Sequence, residues 1–276
     1  MRPAMNKSVS NEIDRRTIAD FGAQWTYFRG NPGFYGSVEM LEDILHPLLP
    51  LSEIVGRRVC EIGSGSGRIV NMLLDAGAGH VIAIEPSQAE RILRLNTAAR
   101  AERITYLRAT GDQLPLAPPL DIVVSIGVLH HVLDPDPIVA RAWQALKPGG
   151  RIAVWLYAWE GNELYLRFAL PLRALTRRMP DVALRAFTHL LTPVLFGYVS
   201  LCRILPLPMR SYMLSVLGRY RYGPLWLTIF DQLNTTYSKY YRRDEALSLL
   251  ERAGFTDVQC RHRHGYSWTV VGRKPT

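Results

Sequence analysis

The sequence predicts an α/β protein: a doubly wound, mostly parallel sheet of seven strands, with a helical insertion after the fifth strand. Three observations carry that prediction. From Arg57 to Tyr157, short Val- and Ile-rich runs alternate with segments of helical periodicity, the pattern of a parallel sheet covered by helices on both faces. A turn alternating glycine and serine, GSGSG (63–67), directly follows the first run. After Trp159 the alternation breaks, and residues 160–225 are rich in Leu, Arg, Pro and aromatics before a helix and two strands close the chain.

Taken in order, residues 1–56 read as an N-terminal helical cap that includes the aromatic segment FGAQWTYF (21–28). RVCEI is the first strand. RIVNMLLDAGAG is a helix with Ile69, Val70, Leu73 and Leu74 on one face, stopped by Gly77. HVIAIE is the second strand, and Ser87 and Glu90 then stand at capping-box spacing, which predicts a helix start. RITYLR, DIVVSI and RIAVWLY are the third to fifth strands. Between the last two, the Asp-Pro pairs of DPDPIVARAWQALKPGG suit a helix N-cap followed by proline, and Lys-Pro-Gly-Gly suits a tight return turn. The insertion reads as several short amphipathic helices broken by prolines. RDEALSLLERAGF is a helix ending at Gly254, and TDVQCRHRH and YSWTVVGRK are closing strands. Residues 57–159 and 226–276 thus form one sheet domain, and 160–225 the insertion.

At 276 residues the chain can bury one large core, or one core with an accessory unit. Its 48% hydrophobic and 21% charged residues suit a soluble enzyme and argue against disorder. Cys60, Cys202 and Cys260 form an odd, scattered set without metal-ligand spacing, so no metal site is expected and the compartment reads as reducing, the cytoplasm. The opening MRPAMNKSVSNEIDRR is polar where a signal peptide has its apolar core. The most apolar stretch, Leu190 to Cys202, is short for a membrane span and contains Pro193, so it reads as a buried or interfacial helix. The net charge of +9 belongs to the second half: residues 1–159 hold 16 basic and 16 acidic groups, whereas 160–225 hold nine arginines against Glu160, Glu163 and Asp181. That surplus points to an acidic partner or an anionic surface at the insertion.

A dinucleotide fingerprint reads G-x-G-x-x-G/A. Gly63 and Gly65 fit it, but the third place holds Arg68, which disfavours a nicotinamide-dependent dehydrogenase. Read with its neighbours, EIGSGSG places Glu61 two residues before the first glycine and resembles motif I of the class I S-adenosylmethionine-dependent methyltransferases. IEPS, ATGDQLPL, SIGVLHHVLDPD and LKPGGRIAVW resemble that family's later segments, in order, up to Tyr157. The likeness is nearest to the small-molecule branch typified by the quinone-biosynthesis methyltransferases, and it implies a Rossmann-like sheet.

The resemblance implies S-adenosylmethionine as cofactor and S-adenosylhomocysteine as product. Its expected contacts are Glu61, Gly63, Ser64, Gly65 and Gly67 at the methionine moiety and Glu85 with Pro86 at the ribose. Gly111, Asp112 and Gln113 follow near the adenine, with Ser125 and Ile126 at the end of the fourth strand. Glycine lets backbone approach a ligand closely, and a carboxylate has lone pairs for two hydroxyl donors. An N-terminal helix covers the cofactor in this superfamily, which brings in Trp25 and Tyr27; plain helix packing is the other reading of both.

Methyl transfer from a sulfonium is a displacement that a protein assists chiefly by alignment. A base is required only when the acceptor atom must lose a proton. His130 and His131, past the fourth strand, and Tyr157, ending the fifth, are the catalytic candidates, since histidine titrates near neutrality. The two histidines read equally well as pocket lining, and Trp159 as aromatic packing. Tyr237, Tyr240 and Tyr241 stand where a lid made by the insertion would hinge.

The expected partner is a small organic acceptor, aromatic, natural-product or lipid-like, methylated on O, N or C. The alternatives are an RNA methyltransferase and a non-catalytic cofactor-binding partner protein. The basic insertion raises nucleic acid. Against it, no RNA-binding module is visible, and SIGVLH stands where enzymes methylating base or amide nitrogens carry Asn/Asp-Pro-Pro-aromatic. Arginines interleaved with leucines in LYLRFALPLRALTRRM suit either a lid with a solvated face or a peripheral contact with an anionic bilayer.

Overall fold

The computed structural model describes residues 7–276, with side chains from Glu12 onward; the start of the polar N-terminal segment lies outside the described residues. Two helices, α1 (Lys7–Tyr27) and α2 (Val38–Leu45), precede the sheet. Then β1 (Arg58–Ile62), α3 (Arg68–Asp75), β2 (His80–Ile84), α4 (Glu90–Thr97), β3 (Ile104–Leu107), β4 (Leu120–Ile126), α5 (Asp136–Ala145) and β5 (Leu146–Tyr157) follow. The insertion contributes α6 (Glu163–Thr176), α7 (Asp181–Ile204) and α8 (Arg210–Ser215), and α9 (Tyr222–Asn234) runs across its expected end at residue 225. The chain closes with α10 (Arg243–Glu251), β6 (Thr256–Arg263) and β7 (Ser267–Arg273).

The strand order is β3-β2-β1-β4-β5-β7-β6, with β1 to β5 parallel and β7 antiparallel to β5 and to β6. His264 and Gly265, both at positive φ, turn the β6–β7 hairpin. Alternate residues feed two cores. Val59, Val81 and Val124 face α2 and α3, while Cys60, Ile82 and Val123 face α5 and α10. Burial on both faces explains why these strands read as continuous apolar runs. Val199, Cys202, Met213 and Leu217 of the insertion join the core on the α2–α3 face.

Four local expectations are corrected. Ser87 does not close a capping box on α4: its hydroxyl donates to Glu85 Oε1 at 2.5 Å and accepts from the Ala89 N–H at 3.1 Å, two residues on instead of three, and the helix starts only at Glu90. Lys147 to Gly150 do not form a separate turn. They bulge within β5, whose pairing jumps from Leu120↔Leu146 to Ile122↔Arg151, with Gly149 at φ +74°. Pro171 and Pro193 sit inside α6 and α7 rather than ending them. Each deletes one ladder hydrogen bond, but both helices pack on α9, and tertiary burial outweighs that loss. Finally, the apolar stretch is part of a 24-residue helix, long and apolar enough by length and composition to cross a membrane. One face of α7 is packed, however, through Leu184, Thr188, Thr192, Val199 and Cys202.

Candidate functional site

The chain runs from β1 outward to β3, then returns to lay β4 on the other side of β1. The carboxyl ends of β1 and β4 therefore carry connections leading in opposite directions, and a crevice opens between them. A cavity of about 530 Å³ fills it, lined by Glu61, Gly63, Ser64, Gly65, Glu85, Pro86, Gly111, Asp112 and Ile126.

Glu61 is 1% exposed, and among the described residues its Oε2 has no hydrogen-bond partner. Burial pushes its carboxyl up to about 8, the neighbouring Glu85 adding to the rise, while Ser64 and Arg68 oppose it. A buried acid with an unpaired oxygen marks a place for a ligand donor. Glu85 directly follows β2 and holds the loop: Oε2 accepts from Gly65 N–H at 2.8 Å, and Oε1 from Ser87 N–H at 3.0 Å and the Ser87 hydroxyl. Gly65, at φ +52°, leaves no room for a side chain beneath the Trp25 ring, whose Nε1 lies 3.0 Å from where a Cβ would stand. Gly67 also has positive φ, but its missing Cβ would meet Leu93 Cδ1 at 2.9 Å. It allows α3 to approach α4 and does not line the cavity.

Helix α1 covers the crevice with Asp14, Thr17, Ile18, Phe21 and Trp25, which share one helical face. Three polar contacts pin it: Gln24 Nε2 donates to Asp231 Oδ1 at 2.9 Å, the Thr236 hydroxyl to Asp20 at 2.5 Å, and Leu133 N–H to Asp14 at 3.3 Å. Tyr27 departs from the expectation. It is 54% exposed, packs against Phe28 and Trp226 under the Arg185 guanidinium, and is absent from the cavity wall. Gln113 is exposed and Ser125 fully buried, and neither lines the cavity.

A second cavity, of about 540 Å³, lies between the sheet and the insertion. Its wall is largely apolar and aromatic, including Trp155, Tyr157, Leu172, Leu195, Tyr212 and Tyr240. Phe168 and Val194 line it yet are 72% and 67% exposed, so its mouth lies between α6 and α7. The two cavities share Arg68, Ile126 and Gly127.

The catalytic candidates separate across these walls. His131 lines the first cavity, and its Nδ1 bonds the Tyr237 carbonyl at 2.8 Å. A carbonyl only accepts, so Nδ1 carries the proton and Nε2 keeps a lone pair. Burial lowers its pKa, while the Asp231 carboxylate and the Tyr237 carbonyl oppose that. His130 is fully buried and lines neither cavity. Its ring packs 4.0 Å from that of Tyr157 and beside Trp155, and among the described residues neither ring nitrogen has a hydrogen-bond partner. Tyr157 lines the second cavity, donates to Asp231 Oδ2 at 3.1 Å and accepts from Gln232 Nε2 at 2.7 Å. Burial, with Asp231 adding to it, holds its hydroxyl well above the ordinary tyrosine range, so it stays protonated. Tyr240 lines the second cavity as well, whereas Trp159 lines neither and packs under Arg242.

Asp231, which lines the first cavity, was not singled out in the sequence. Its signal was available: one carboxylate inside the apolar helical run PLWLTIFDQL. Arg68 was noted only as a departure from the dinucleotide pattern.

Residues 60–154 match the family profile described as a methyltransferase domain. A ubiquinone biosynthesis O-methyltransferase from Idiomarina loihiensis is 25% identical over 158 residues, 55% of this chain and 64% of that one. A tRNA U34 carboxymethyltransferase from the same organism is 29% identical over 118 residues, 41% of this chain and 36% of that one. The chain thus spans less than two thirds of either relative. Among solved structures, 1,6-didemethyltoxoflavin-N1-methyltransferase from Burkholderia thailandensis superposes with a TM-score of 0.56 at 15% identity, over 100% of this chain and 93% of that one; this likeness concerns the fold alone. With the glycine loop, Glu61 and Glu85 gathered at the switch point of a seven-stranded sheet, residues 60–154 form a methyltransferase domain of the class I S-adenosylmethionine-dependent kind.

Proposed function

We propose that this protein moves the methyl group of S-adenosylmethionine to an oxygen, nitrogen or carbon of a small aromatic or lipid-like molecule held in the second cavity. The observation that carries this reading is the shared wall at Arg68, Ile126 and Gly127, through which an acceptor meets the cofactor crevice. The residues fit the cofactor. Glu61 Oε2 is free to pair with its ammonium group, and the glycine loop admits close approach. Glu85 spends three of a carboxylate's roughly four acceptor positions on the protein, leaving one on Oε2 for a ribose hydroxyl.

The cofactor supplies a methyl carbon made electrophilic by a cationic sulfur. The chain's own work is to exclude water, align the acceptor and receive a proton where one is released. For a hydroxyl acceptor that proton goes to Nε2 of His131, and the Asp231 carboxylate favours the imidazolium formed. Tyr157, which stays protonated, acts as a donor and braces Asp231. The insertion, residues 160–225, serves as the substrate lid. Its helices α6 and α7 also expose Leu164, Leu175, Leu190 and Ile204, and Arg167 of α6 and Arg177 and Arg178 in the turn after it are exposed. An apolar face fringed by arginines suits peripheral contact with an anionic bilayer, from which a lipid-like acceptor would enter between Phe168 and Val194.

Calorimetric titration with S-adenosylhomocysteine tests the cofactor site. Wild type binds, Glu85→Ala loses about tenfold or more in affinity, and nicotinamide dinucleotide does not bind. Transfer of radiolabelled methyl is then followed into a lipid extract, a set of small phenols and bulk tRNA. Label in the lipid or phenol fractions supports the reading, and label confined to tRNA overturns it.

A further inference from the structure

Arg68 has no part in the function proposed so far, although it stands at the junction of both cavities. It opens α3 at the helix's first position, where the positive end of the helix dipole disfavours a cation. Its Nη1 donates to the Tyr35 carbonyl at 3.2 Å, and its guanidinium lies 4.3 Å from the Tyr35 ring centroid. Among the described residues, only that one of its five N–H donors has a protein partner, and no carboxylate lies within ion-pair distance. The nearest ionisable influences are Glu61, on the same crevice wall, and the hydroxyls of Tyr35 and Tyr220. A half-buried guanidinium with a planar fork of unused donors is the side chain best shaped to take a carboxylate in two parallel bonds.

We propose that Arg68 is the anion receptor at the window between the cavities, and that it takes a carboxylate there. With the unpaired Glu61 Oε2 in the same crevice, the wall presents, among the described residues, an unpaired acid and an unpaired guanidinium, which complement an amino-acid zwitterion once Glu61 gives up its proton. The carboxylate comes either from the cofactor's amino-acid end or from an acidic acceptor in the second cavity. The chemistry is the same, and the proposal rests on the cofactor reading above.

The test measures affinities for wild type, Arg68→Met and Arg68→Lys by calorimetry, with thermal melts to establish folding. The probes are S-adenosylhomocysteine and its decarboxylated analogue, which keeps the amine and lacks only the carboxylate. In the presence of saturating S-adenosylhomocysteine, 2-naphthoate and neutral 2-naphthamide probe the second cavity. If the cofactor is the source, Arg68→Met loses about 10- to 100-fold for S-adenosylhomocysteine and leaves the decarboxylated analogue unchanged. If the acceptor is the source, naphthoate binding falls by a like factor while naphthamide and both nucleosides hold. Arg68→Lys keeps the charge without the fork and lies between. Equal changes for charged and uncharged members of each pair, or none, overturn the proposal, since a residue that only props Tyr35 would move all ligands together. Failure of wild type to bind S-adenosylhomocysteine would instead defeat the cofactor reading itself.

Discussion

Glu61 provides the sharpest test of the site, because its protonation couples stability to ligand binding. Its carboxyl is raised by burial from 4.5 to about 8. Between those pH values the folded chain keeps a proton that the unfolded chain has lost. Stability contributed at this position is therefore intact below pH 4.5 and falls by about 1.4 kcal/mol for each unit of rising pH up to about 8. A neutral isostere, Glu61→Gln, escapes that decline. Over the 2.5 units from 4.5 to pH 7 the variant should gain about 3 kcal/mol on wild type. Urea denaturation of both proteins at pH 5, 6, 7 and 8 reads the difference directly, since other titrating groups cancel. Binding reads the same proton. At pH 7 the neutral acid must ionise to pair with an ammonium group, so S-adenosylhomocysteine should release about one proton on binding. Calorimetry in two buffers of different ionisation enthalpy measures that release, and Glu61→Gln should abolish it while weakening affinity. A stability difference flat with pH, together with equal enthalpies in the two buffers, would refute the argument.

Gly67→Ala places a Cβ 2.9 Å from Leu93 Cδ1 at φ +83°. It should cost about 1–3 kcal/mol in denaturant unfolding with S-adenosylhomocysteine affinity held within about twofold; a large affinity loss would return Gly67 to the ligand site. His130→Ala and His131→Ala should part company. The first removes a ring that lines neither cavity and should lower the melting temperature while sparing turnover of the folded fraction. The second should cut turnover about 100-fold or more with cofactor affinity little changed, and equal turnover losses in both would remove His131 as the base.

The cofactor crevice was legible because its parts are local. Glu61 lies near the end of β1, the glycine loop follows that strand, and Glu85 and Asp112 come after β2 and β3; parallel strands end on one side, so residues at successive strand ends converge without long-range information. Positive-φ glycines and apolar strand runs are likewise written in short segments. The second cavity was legible only in part, through Tyr157, Tyr240 and the insertion. Tyr157 meets Asp231 across 74 residues and Gln24 meets Asp231 across 207, contacts created only when α9 and α1 fold back over the sheet. For the same reason adjacent histidines diverged: the turn after β4 aims His131 at the crevice and sinks His130 behind Tyr157. The prolines of α6 and α7 show the wider cause. Local chemistry states what a segment prefers, but packing against α9 determines whether a lost backbone bond ends a helix, and which of its faces water still reaches.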